Sequence, residues 1–353
     1  MSVHHSYLLV IYHNFIKLVN MSSDLNNKSY PDIWVLVDNR TGGANQALAL
    51  ASRLSPKHQV KNIQYNNFSS LPNFLLAFWP VNIKKSVLDE LKSQTLPDII
   101  ISSGRRTAAL AIYLKRKFNN KIKIIQIMRP GLHPKLFDLV ILPQHDNYNY
   151  TLPNIVRIIG ALNNVQSSML QTKSTFRTNY PEPQNFIAVI IGGSTKSYKF
   201  TAEVAEFLSN KILALSVYHS LPVFISFSRR TPKYVKEIFK NKFPWPHIIY
   251  DTEENLPNPY PGIIGEGEYI IITADSISMC SEAASTGKPI YIFYPENFTL
   301  KKHRFFIQQL IDLGIARVLD YNTAFLEKYD YEPLYEIDKV KEIINKIVLK
   351  EKI

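Results

Sequence analysis

The strongest constraint on the fold is a recurring order: a short apolar run, a turn-rich break, then a stretch with helical period. Residues 33–37 read "IWVLV" without a polar interruption, the pattern of a strand buried on both faces. "NRTGGANQALALASRL" follows as loop and helix. Further strands are expected at 60–65, within "PDIIISSG", and at 122–127, 139–142 and 155–159, with a helix in "RRTAALAIYLKRKF". Residues 163–185 are polar, carry Ser, Thr and Pro, and lack a period, so they read as a linker with some helix inside. The order then restarts. Strands are expected in "FIAVIIGG" and at 223–227, 247–250, 269–273 and 290–294. Helices are expected at 201–219, 233–243, 278–286, 303–313 and 337–349, and "PNPYPGIIGEGE" reads as a loop. This alternation predicts an α/β chain with two Rossmann-like doubly wound domains facing a cleft.

The expected boundaries are an N-terminal domain over 30–165, a linker over 166–185, a C-terminal domain over 186–333 and a terminal helix over 334–353. At 353 residues the chain has material for two such cores. Residues 1–29 read as an extension, either disordered or preceding the true start at Met21. Their apolar part, 7–19, is broken by His13 and Asn14 and falls short of a spanning helix. The single cysteine, Cys280, excludes an internal disulfide and any zinc site built from several cysteines, and points to a reducing compartment. The net charge of +12 suits anionic partners: phosphorylated ligands, nucleic acid or an anionic membrane face.

In doubly wound sheets, ligands sit beyond the carboxyl ends of the strands. Several chemistry-bearing stretches fall there. "IIGGSTKSY" offers Gly192, Gly193, Ser194 and Lys196, either as a phosphate cradle or as a plain tight turn. "SFSRRTP" offers Ser228, Arg229, Arg230 and Thr231. Neighbouring arginines do not easily converge, so one is expected to bind ligand and the other to support structure. "TADSISMCSEAASTGKPIYIF" places Asp275, Ser276, Ser278 and Ser281 around a helix start, with Glu282 soon after. Such hydroxyls either cap the helix or receive a diphosphate, and such a carboxylate can accept hydrogen bonds from ribose hydroxyls. The halves also echo each other, in "ISSGRRTAA" against "ISFSRRTPK" and in Gly42–Gly43 against Gly192–Gly193.

Asp275-Ser276-x-Ser278-x-x-Ser281-Glu282-Ala283-x-x-x-Gly287-x-Pro289 resembles the donor motif of GT-B glycosyltransferases. More closely, "DNRTGGANQALALA", "PDIIISSGRRTAALA", "FDLVILPQHD", "VIIGG", "SRRTP" and "NPY" resemble bacterial members of the mitochondrial fission (elongated mitochondria) family. The resemblance spans about 33–318. It implies a nucleotide sugar held by the C-terminal domain, with Glu282 on the ribose. Gly42, Gly43, Asn45, Gln46, Ser103, Gly104, Arg105 and Arg106 then line the acceptor side. One departure is "IGEGEY", whose glycines speak against the helical turn usual there.

The resemblance implies a metal-independent glycosyltransferase that needs no cofactor and acts on an envelope or lipid-linked acceptor. The alternative is a non-catalytic peripheral protein of membrane organisation or division. No D-x-D triplet suggests a metal-bound donor, and no metal site is expected. Arg229, Arg230 and Lys196 are candidates to neutralise a leaving diphosphate. His145, Asp146 and Asp38 are candidate bases, each with a local reading as a turn or capping residue. In "LPNFLLAFWPVNIKK", Phe74, Leu75, Leu76, Phe78 and Trp79 precede Lys84 and Lys85. Two arrangements fit: an internal helix buried all round, or a face lying on an anionic membrane. No nucleic acid partner is expected. The implied location is cytoplasmic, with a peripheral position on the inner face of the cytoplasmic membrane.

Overall fold

The computed structural model describes residues 30–349, apart from 39, 40, 196, 253–257, 296, 297 and 299. The proposed 1–29 extension and Lys196 therefore lie outside the described residues. The apolar runs form two parallel sheets, each six-stranded among the described residues. The first has the order β2-β1-β3-β4-β5-β6, from β1 (Ile33–Val37), β2 (His58–Asn62), β3 (Ile99–Ser103), β4 (Lys123–Ile127), β5 (Leu139–Pro143) and β6 (Ile155–Ile158). The second has the order β12-β11-β10-β7-β8-β9. Its strands are β7 (Ile187–Ile191), β8 (Val223–Phe227), β9 (Ile248–Tyr250), β10 (Tyr269–Thr273), β11 (Ile290–Phe293) and β12 (Ala316–Leu319). The central strands β1, β7, β8 and β10 are buried along their whole length, because helices cover both faces.

Helices follow the strands as a parallel sheet requires. In the first half they are α1 (Thr41–Leu54), the short α2 (Asn73–Leu76), α3 (Lys85–Ser93) and α4 (Gly104–Lys117). α5 (Val165–Asn179) occupies most of the polar connection. The second half has α6 (Ala202–His219), α7 (Lys233–Lys242), α8 (Tyr260–Glu266), α9 (Ile277–Ala284) and α10 (Lys301–Asp312). α11 (Glu336–Ile344) returns to the first sheet, where Val340 and Ile344 share a core with Ala47, Leu50 and Ala51 of α1. An exposed ion pair from Arg53 to Asp338, 2.5 Å, lies at the edge of that crossing.

α8 corrects the expected loop at 257–268. The glycines that spoke against a helix are where it packs closely on α5. A Cβ on Gly262 would lie 2.3 Å from Phe176 Cγ, and one on Gly265 would lie 3.0 Å from Met169 Cγ. The tertiary contact outweighs the roughly 1 kcal/mol helix penalty of each glycine. Gly262→Ala is therefore expected to cost about 1–3 kcal/mol by overpacking. Gly265→Ala meets Met169 Cγ and Cβ at 3.0 and 3.3 Å, a milder crowding, and should cost clearly less than Gly262→Ala. Urea unfolding of the two variants checks the pair; equal stabilities would remove the close-packing explanation.

Candidate functional site

Strand order reverses between β1 and β3 in the first sheet, and between β7 and β10 in the second. Ligands of open α/β sheets bind beyond such reversals. The loops there face one another across two adjoining chambers. A narrow one of about 400 Å³ is lined by Asp38, Gly43, Ser103, His145, Ser278 and Lys302, among others. A wider one of about 710 Å³ takes in Asn45, Ser228, Arg229, Tyr260, Ser278 and Glu282. Gly42, Gln46 and Ser278 line both, so the first turn of α9 stands where the chambers meet.

The two glycines after β7 turn inward. Gly192 N–H donates to Thr273 Oγ1 at 2.7 Å, and Gly193 N–H donates to Asp275 Oδ2 at 2.9 Å. Thr273 Oγ1 donates to Asp275 Oδ1 at 2.8 Å, and Arg230 Nη2 reaches Asp275 Oδ2 at 2.8 Å. A Cβ on Gly192 would lie 1.9 Å from Asp275 Oδ1; one on Gly193 would lie 2.0 Å from Arg230 O. The glycines admit the protein's own carboxylate and carbonyl at close range. This corrects the expectation of direct phosphate contact for Gly192, Gly193 and Asp275: their polar groups are already paired, and Asp275 is buried.

Two hydroxyls, those of Thr231 and Ser281, are corrected for the same reason. Thr231 Oγ1 donates to Gly192 O at 2.6 Å and is buried. Ser194 differs: it is half-buried, and its Oγ accepts Phe200 N–H at 3.1 Å, a bond that does not use its own proton. Ser281, fully buried, donates to Ile277 O and accepts Ala161 N–H at 2.9 Å, so it joins the two halves. Gly160, at φ +70°, is the partner of that close approach, since a Cβ there would lie 2.3 Å from Ser281 Oγ.

Ser276, Ser278, Glu282, Ser228, Arg229 and Arg230 remain on the wide chamber. Ser276 caps α9, its Oγ accepting Met279 N–H at 3.4 Å. Ser228 Oγ accepts Arg230 N–H at 3.2 Å. Arg230 is paired with Asp275, and both Arg229 and Arg230 are exposed on the chamber wall. Glu282 accepts a hydrogen bond from Tyr260 Oη at 2.7 Å. Burial raises the Glu282 pKa to about 7, with the Tyr260 hydrogen bond opposing the rise. Burial, reinforced by Glu282, pushes the Tyr260 phenol well above its usual range. Sequence reading gave Tyr260 no role; its one signal was its place in "NPY".

On the narrow chamber, His145 has its pKa lowered to about 4, first by burial and then by Lys302 and His303, with Asp146 opposing. It is neutral at physiological pH, and among the described residues its Nδ1 has no hydrogen-bond partner. Asp146 is buried and ion-paired with Lys302 from the opposite half; Arg129 Nε lies 3.9 Å away. Lys302 is a second site residue that sequence reading missed. Asp38, Gly42, Gly43, Gln46, Ser103, Gly104, Arg105 and Arg106 all line this chamber, while Asn45 lines the wide one. Gln46 is buried, its Oε1 accepting Leu162 N–H at 3.3 Å. Gly104 opens α4 at φ +73°, and Met128 holds φ +64°, a region non-glycine residues seldom adopt. Among the described residues, no group of three or more His, Cys, Asp or Glu is arranged to hold a metal ion.

The family model for mitochondrial fission ELM1 matches residues 41–347. The chain belongs to that family. An uncharacterised Rickettsia prowazekii (strain Madrid E) protein, RP120, is 43% identical over 345 residues, covering 89% of this chain and 97% of that one. The Arabidopsis thaliana mitochondrial fission protein ELM1 is 29% identical over 264 residues, 67% of this chain and 61% of that one. Among solved structures, the Methanocaldococcus jannaschii UDP-GlcNAc 2-epimerase aligns with a TM-score of 0.57 at 14% identity. The Neisseria meningitidis UDP-GlcNAc 2-epimerase bound to UDP-GlcNAc aligns with a TM-score of 0.51 at 16% identity. Each alignment covers 91% of this chain and 100% of the other. At these identities the likeness is one of fold. The ELM1-family chain has the GT-B-like arrangement of two Rossmann-like domains around a cleft.

Proposed function

We propose that this ELM1-family protein binds a nucleotide sugar in the wide chamber and transfers the sugar to an acceptor entering the narrow one. The observation that carries this is Glu282: a recessed carboxylate aimed by Tyr260 on the wall of the wide chamber, in the same helix as Ser278, which stands where the two chambers meet. The carboxylate suits ribose hydroxyls. Ser276, Ser278, Arg229 and the positive end of α9 suit a diphosphate. The UDP-GlcNAc bound by the Neisseria protein of the same fold supports this ligand class. In the transfer, a base takes the proton from an acceptor hydroxyl, whose oxygen attacks the anomeric carbon as the bond to the diphosphate breaks. His145 is neutral and suits proton acceptance, although its lowered pKa makes it a weak base. Arg229 and the α9 N-terminus stabilise the departing charge without a divalent cation. An envelope or lipid-linked acceptor is the class implied by the family resemblance.

A second reading, a non-catalytic peripheral protein of membrane organisation, is favoured by one feature. Asp275 fills the glycine turn after β7, which leaves fewer backbone donors for a phosphate. A thermal-shift screen against UDP-, ADP-, GDP- and CMP-sugars, beside Glu282→Ala, separates the readings. Ligand at about a hundred times its Kd adds roughly 2.7 kcal/mol, a rise of several degrees. A rise with one nucleotide class, lost in the variant, supports the transferase reading. No rise with any of them, in folded protein, sinks it and leaves the second.

A further inference from the structure

Residues 73–79 follow a helical path, with Ala77 N–H donating to Asn73 O and Trp79 N–H to Leu75 O. Its two faces are inverted relative to an ordinary surface helix. Asn73, Leu76 and Ala77 are buried, whereas Phe74 is 60%, Phe78 55% and Trp79 65% exposed, with Leu75 beside them. The expectation of a helix buried all round is therefore corrected; only Leu76 of the five apolar residues points inward. The chain buries the less apolar side and presents the aromatic one.

The surroundings are cationic. Lys84 and Lys85 are exposed just after the segment, and the Arg116 guanidinium lies 4.0 Å over the Phe78 ring. The half of the chain that carries this segment is also the basic one: residues 30–165 hold seventeen Lys and Arg against seven acids, while the rest of the chain is close to balanced. An aromatic and aliphatic face with flanking cations matches an anionic bilayer: rings enter the interface and lysines meet headgroups.

We propose that the Phe74–Leu75–Phe78–Trp79 face docks this protein on an anionic lipid bilayer. Asn73 Nδ2, on the face opposite the rings, donates to Arg105 O at 2.7 Å, and Arg105 lines the narrow chamber, so the docking segment is anchored on a wall of that chamber. The consequence, that the acceptor is lipid-linked, rests on the transferase reading; the docking itself does not.

Flotation of the full chain with vesicles of phosphatidylglycerol and phosphatidylcholine, against phosphatidylcholine alone, tests the proposal. Wild type should float with the anionic vesicles and much less with the neutral ones. Phe74→Ser with Trp79→Ser should lower partitioning at least about tenfold, and Lys84→Glu with Lys85→Glu by a similar factor. In a Trp245→Phe background, Trp79 emission should shift to the blue on binding. Nucleotide-sugar thermal shifts serve as the folding control, or circular dichroism if no sugar binds. Vesicle binding without any nucleotide shift would keep the docking proposal and sink the transferase reading; nucleotide binding without vesicle binding would do the reverse. Vesicle binding unchanged in both double variants would overturn the proposal. So would concentration-dependent self-association, or oligonucleotide binding, that needs Phe74 and Trp79 while vesicles are ignored.

Discussion

Asp275→Ala is expected to destabilise the C-terminal half by about 2–4 kcal/mol, the cost of leaving buried hydrogen-bonding groups unpaired, since the Arg230 end of its ion pair is half exposed. The variant would leave Gly193 N–H and Thr273 Oγ1 without acceptors in a buried turn, and Arg230 without its carboxylate. At about 2–4 °C per kcal/mol for a chain portion of this size, the melting point should fall by on the order of 10 °C. Asp275→Asn keeps one acceptor for Gly193 N–H and should lose less. If Asp275 were instead a ligand contact, alanine would leave stability near that of wild type and weaken only nucleotide binding. Calorimetry of the two variants without ligand decides between these outcomes.

Glu282 is expected to make stability and donor binding respond to pH in opposite directions. Its pKa rises from 4.5 to about 7 on folding, because burial disfavours the charged form. Between those values the folded state holds the proton and the unfolded state does not, so stability falls as pH rises through the window. The loss is at most about 3 kcal/mol by pH 8. Glu282→Gln should show little of it, and its stability advantage over wild type should grow from pH 5 to pH 8. Donor affinity should rise over the same window, since the ionised carboxylate is the better acceptor for ribose hydroxyls. Glu282→Ala should lose about 10–100-fold in affinity at pH 8, as for a hydrogen bond to a charged group. Urea midpoints and calorimetric titrations at four pH values check both trends. A flat difference between wild type and Glu282→Gln would mean that the carboxylate is not desolvated.

Much of the fold was legible because a buried parallel strand has an unmistakable composition. Runs such as 269–273 and 187–191 contain little besides apolar residues, and their spacing leaves room for one helix each. β12 and α3 were not read, being short and only partly buried. Glu282 stood out through its place early in a helix and through the resemblance of its motif, and Gly192 and Gly193 through their place at a strand end.

What filled the space beside those glycines was not legible. Whether Asp275 faces a phosphate or the Gly193 N–H depends on β7 and β10 being neighbours, across some eighty residues of chain. Tyr260 and Lys302 became site residues through the same kind of distant contact. The segment at 73–79 shows the limit most clearly. Its helical period was present in the sequence, but both faces are largely apolar, so local pattern could not say which one the core would take. The core took Asn73 and Leu76 because Asn73 reaches the carbonyls of Arg105 and Pro130, which come together only once the start of α4 and the loop after β4 are both in place. Sequence alone determined which residues were apolar and with what period; tertiary hydrogen bonding decided which of them were left facing outward.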